Sequence, residues 1–63
     1  MKCWRVTLRH ADTGDEYEGR FEALTEVDAV EQARAAAVAD YQGTDTDEWD
    51  TVAGKVYSYE GTL

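Results

Sequence analysis

The side chains of this chain that could do chemistry are mostly carboxylates, and several of them gather in two short segments. Asp45, Asp47, Glu48 and Asp50 crowd around Trp49, with Asp40 just before them, and Asp12, Asp15 and Glu16 form a second group far upstream. Oxygen ligands at alternating positions begin a calcium loop, and Asp45-x-Asp47 starts as one would. The pattern then fails: Trp49 stands at the fifth position, Asp50 at the sixth where glycine makes the sharp turn, and no glutamate stands at the twelfth to close the loop. Paired carboxylates also serve acid–base catalysis, yet on so acidic a chain no pair is singled out, and 63 residues leave little room for an enclosing pocket. The one histidine, His10, and the one cysteine, Cys3, are too few for a zinc site and lie at no spacing that orients a nucleophile against a base. The residues therefore predict neither an enzyme nor a bound metal or cofactor.

What the carboxylates do supply is charge. Fourteen acidic residues against six basic ones give a formal charge of −8. Such a surface repels nucleic acid and anionic membrane and attracts partners with basic grooves. Carboxylates fixed some ångströms apart on a rigid scaffold can take the places of nucleic-acid phosphates in such a groove. The candidate partner-binding residues are thus Asp12, Asp15, Glu16, Asp45, Asp47, Glu48 and Asp50, with Trp49 either exposed as an apolar anchor or folded back onto the core, where large aromatics usually lie. Halophile adaptation explains the same acidity without a partner, and a chain with only two lysines fits that explanation too. A single cysteine excludes an internal disulfide and suits a reducing cytoplasm, and no apolar run is long enough for a membrane span.

The elements that must position these groups follow from periodicity. Residues 2–10 alternate, with Trp4, Val6 and Leu8 on one face, which predicts a half-buried strand. Asp12, Gly14 and Asp15 suit a reversal into a second strand over about 16–24, where Tyr17, Gly19, Phe21 and Ala23 share the inner face; Gly19 marks a bulge or a close approach. Thr25 is placed to cap a helix, with Glu26 and Asp28 at its positive end. Ala29, Val30, Ala33, Ala36, Ala37 and Tyr41 form its inner face, Glu31 and Arg34 its outer one, and Gly43 ends it. An alanine face lets the helix approach the sheet closely, so Trp4, Leu8, Phe21 and Tyr41 must fill the core. Residues 43–50 are an acidic loop, and 51–60 a third strand with Val52 and Val56 inward. The expected architecture is a single α+β domain over 1–63, ββαβ, with a three-stranded antiparallel sheet in the order 2-1-3 and the helix on one face.

On that plan the open face of the sheet carries Arg5, Arg9, Arg20 and Lys55 with Tyr57 and Tyr59. Arginines and aromatics on an open sheet are the parts of an RNA-stacking platform; equally, the charges can pair across strands with Glu18 and Glu22. Net negative charge opposes phosphate binding, so nucleic-acid binding at this face is the alternative reading. A third is self-association, as monomer or homodimer, because the second and third strands are sheet edges.

The stretch Phe21 to Ala37, with Ala23, Thr25, Glu26, Asp28, Ala29 and Ala33, resembles the strand-to-helix junction of small ββαβ proteins of phages and mobile elements, the DpnD/PcfM-like group. In size and in its compact hairpin and helix the chain is also similar to small anti-CRISPR proteins, several of which present acidic surfaces to nucleic-acid grooves. The resemblance implies a phage or mobile-element protein in the host cytoplasm that binds a basic protein surface, such as a CRISPR effector subunit, and inhibits it.

Overall fold

The computed structural model describes residues 2–59, and within them the hydrophobic alternation of the N-terminal strand organises everything else. Strand β1 (Lys2–His10) lies in the middle of an antiparallel sheet, between β2 (Glu16–Ala23) and β3 (Trp49–Tyr59), in the order β2-β1-β3. Helix α1 (Glu26–Asp40) connects β2 to β3 and packs on one face, and a short 3-10 turn, Thr46–Glu48, leads into β3. The α+β class, the strand order and the single helix are as the periodicity predicts.

Trp4, Val6 and Leu8 are buried beneath the helix, which sends Ala29, Ala33 and Ala37 onto them, each fully buried and one turn apart. Methyl side chains at that spacing bring the helix axis close to the sheet, so the bulk must come from the strands. Thr25 caps the helix as expected, its Oγ1 accepting the Asp28 N–H at 3.3 Å. The helix stops at Asp40 and Tyr41 is its cap; Gly43, at φ +91°, lies in the turn beyond.

Three expectations change, and a fourth is decided between its two readings. The third strand begins at Trp49 instead of residue 51, and Trp49, fully buried, is the largest side chain in the core. Tyr41 is exposed and Phe21 only half-buried, so Trp49 supplies the bulk assigned to them. The third strand does not alternate uniformly: Val6 pairs with Val56 but Leu8 with Thr51, which leaves Thr7 alone opposite residues 52–55. Three extra residues invert the facing, so Trp49 and Thr51 oppose inward residues of β1 on one side of the bulge, and Val56 and Ser58 do so on the other. Gly54, at φ +77°, takes the left-handed conformation the bulge demands. Gly19 is no bulge, since pairing runs unbroken through Val6–Gly19. It is a close approach, because a Cβ there would lie 2.8 Å from the Phe21 ring that covers it. The expected strand end at Glu60 lies outside the described residues.

Candidate functional site

The two acidic segments meet at one end of the sheet. The register of β1 and β3 continues past the strand into the hairpin, where the Ala11 N–H donates to the Glu48 carbonyl at 2.9 Å. His10 reinforces that joint from inside. It occupies an inward position of β1 and is buried, its Nε2 3.2 Å from Glu48 Oε1, while its Nδ1 accepts the backbone N–H groups of Asp12 and Thr13, each at 3.2 Å. Two donors aimed at Nδ1 and a carboxylate at Nε2 select the tautomer with its hydrogen on Nε2. One side chain thus holds the turn of the first hairpin and the entry to β3 together.

Beneath it lies an aromatic stack. The His10 ring meets Trp49 edge-on with centroids 5.1 Å apart, and Tyr41 lies tilted against Trp49 with centroids 5.0 Å apart. Trp49 Nε1 donates to Thr44 Oγ1 at 3.1 Å, and that hydroxyl donates in turn to the Tyr41 carbonyl at 2.7 Å. The Trp49 carbonyl, turned away from β1, accepts from Arg34 Nε at 3.0 Å. The acidic loop is therefore built on a rigid floor.

The floor takes one of the nominated residues out of reach and engages others. Trp49 is sealed inside and does not anchor a partner, because its indole fills the space that the alanine helix face leaves. Glu48 turns inward to His10 and also accepts the Asp45 N–H at 3.0 Å. These two hydrogen bonds, the backbone one first, hold its carboxyl below the usual glutamate range. Asp15 accepts from the Thr13 hydroxyl at 3.0 Å, and Glu16 forms an ion pair with Arg9 at 2.7 Å. Asp12, Asp45, Asp47 and Asp50 are exposed with no ion pair among the described residues. An open groove runs between the hairpin turn and the bulge of β3, lined by Ala11, Gly14, Val52 and Ala53 with Arg9 and Asp50. Near the C-terminal end of the helix, partial burial and then the Asp40 carboxylate raise the Tyr17 phenol above its ordinary value.

The open face shows mostly internal pairing. Arg9 is held by Glu16, and Arg5 Nε lies 3.3 Å from Glu18 at an angle that makes an ion pair and not a hydrogen bond. Tyr57 is exposed, Tyr59 half-buried, and Lys55 belongs to the bulge, so no register assigns it a face. Two of the three arginines of a stacking platform are thus engaged with carboxylates on the next strand.

His10 and Arg34 are the positions that sequence reasoning missed. The alternation of β1 carried the signal for His10, since residue 10 continues the inward series 4, 6, 8. Arg34 carried none, being an outer-face helix residue whose partner is a backbone carbonyl. No protein-family model matches this chain, and neither a curated protein nor a solved structure matches it at a significant level. Among the described residues no helix is long and apolar enough to cross a membrane, and no three His, Cys, Asp or Glu side chains gather as metal ligands would.

Proposed function

We propose that this protein is a small acidic binding protein, of the phage or mobile-element kind that its strand-to-helix junction resembles, which occupies a basic nucleic-acid-handling surface of another protein and inhibits it, as an anti-CRISPR protein does on a CRISPR effector. The observation that carries the reading is the joint between Ala11 and Glu48. It draws two acidic segments from opposite halves of the chain into one surface, with Asp12 and Asp47 each next in sequence to a residue of the joint. Asp50 lines the neighbouring groove, where a lysine or arginine side chain of a partner can seat.

Preorganisation is the physical advantage. Carboxylates displayed on a floor of buried rings lose little conformational freedom on binding, and a patch of one sign raises the rate of encounter with a groove of the other. The cross-strand ion pairs on the open face favour this reading over nucleic-acid binding there. The test is inhibition of target-duplex binding by purified CRISPR effector complexes. Wild-type protein should reduce it at low salt, and the double variant D12K/D47K, folded by circular dichroism, should not. Equal inhibition by both would remove the acidic end from the mechanism.

A further inference from the structure

The two edges of the sheet are not alike. On β3 the bulge at residues 52–55 interrupts the edge, and Arg34 covers the outward carbonyl of Trp49. Strand β2 runs straight, in unbroken register with β1 from Glu16 to Ala23. The hydrogen bond from His10 N to Asp15 O sets the phase of that ladder, so Tyr17, Gly19 and Phe21 exchange bonds with β1 while Glu16, Glu18, Arg20 and Glu22 point their N–H and C=O groups outward. Gln32 Nε2 donates to the outward carbonyl of Glu22 at 2.9 Å, which covers one end only.

The segment along this edge, Glu16-Tyr-Glu-Gly-Arg-Phe-Glu22, is self-complementary about Gly19. We infer that β2 pairs with β2 of a second copy in antiparallel register centred on Gly19, giving a two-fold dimer with a six-stranded sheet. In that register Glu18 stands opposite Arg20 of the second copy, twice, and these are the residues whose backbone groups face outward, so side-chain and backbone matching fall in phase. On the helix side Tyr17 stands opposite Phe21 of the second copy, covering two rings that are only half-buried in the single chain. Glycine meets glycine at the axis, so no side chain there opposes the approach.

Charge within one chain favours the same register. Arg20 lies directly opposite Arg5 on β1 and has no ion pair among the described residues, while Arg5 is served by Glu18. Like charges directly opposite are destabilising, and a glutamate from the second copy relieves the pair. At the next positions out Glu16 would meet Glu22, but Glu16 is already neutralised by Arg9 at 2.7 Å. The variants that test the pairing leave the exposed acidic residues Asp12, Asp45, Asp47 and Asp50 unchanged, so the two surfaces are tested separately.

Sedimentation equilibrium of the purified chain tests it, with a dimer expected at a dissociation constant below about 1 mM. Glu18→Arg and Arg20→Glu should each weaken the dimer about tenfold or more by setting like charges opposite, and the double exchange E18R/R20E should restore it. A wild-type chain that stays monomeric, a dimer indifferent to the single reversals, or a double variant without rescue would each overturn the proposal. Amide hydrogen exchange on the wild type gives a second reading without variants. The N–H groups of Glu18 and Arg20 should gain protection as concentration rises, and unchanged exchange at those two sites across the dimer transition would also overturn it.

Discussion

The His10 imidazole donates through Nε2 to the Glu48 carboxylate, 3.2 Å away, and accepts through Nδ1 from the turn that follows it in sequence. Three hydrogen bonds at one buried ring make it the clamp between the two acidic segments. Replacing it with alanine leaves the Glu48 side chain without its buried donor and the turn amides of Asp12 and Thr13 without an acceptor. His10→Ala should lose about 2–4 kcal/mol in denaturant unfolding. A loss within about 0.5 kcal/mol, the usual range of a surface substitution, would show that the ring is not a clamp.

Glu48 gives the clamp a pH dependence of known sign. Its carboxyl is held below the usual range in the folded protein, by the Asp45 N–H first and then by His10, and regains the ordinary value on unfolding. A lowered folded value stabilises the protein where the unfolded carboxylate is ionised, and that contribution is lost as pH falls through the folded value. The melting-temperature gap between wild type and Glu48→Gln should be full above about pH 5, where an ordinary glutamate is ionised, and should close only as pH falls through the lowered folded value. A gap that persists undiminished in stronger acid contradicts the assignment.

Trp49 is fully buried between His10 and Tyr41, and Trp4 nearly so. Trp49→Ala should cost about 3–5 kcal/mol, enough to unfold much of a domain of this size. In the wild type, indole fluorescence should be blue-shifted and resistant to aqueous quenchers. Free quenching of both indoles would mean that the core described above is wrong.

Arg34 satisfies the outward carbonyl of Trp49 from the helix. Arg34→Ala should destabilise by about 1.5–3 kcal/mol, the range of a hydrogen bond to a charged donor, and speed exchange of amides at the start of β3 more than those of β2. Uniform acceleration across the sheet would argue that Arg34 does not act on that strand end.

Much of this arrangement is legible in the sequence because the signals are local. Alternation at Trp4, Val6 and Leu8 finds β1, Thr25 with Asp28 finds the start of the helix, and the spacing of Ala29, Ala33 and Ala37 finds its inner face. What escaped is tertiary. Whether Trp49 lies outside as an anchor or inside as core depends on how much volume an alanine face leaves beneath the helix, a property of the assembled layers. The bulge at 52–55 escaped because Gly54 occupies an inward position in a uniform alternation, and only pairing with β1 reveals the shift. At the candidate site the two acidic segments are plain from composition, while their union through Ala11 and Glu48 depends on the register of strands far apart in the chain.

The most direct test of the acidic end as a binding surface is capture from bacterial cell lysate on the immobilised protein, at about 50 mM and about 500 mM salt, with duplex DNA as competitor. The account predicts that wild-type protein retains nucleic-acid-handling proteins at low salt, that high salt and duplex DNA each release them, and that D12K/D47K retains none. Retention of the same proteins by wild type and D12K/D47K, or binding indifferent to both salt and DNA, would contradict it.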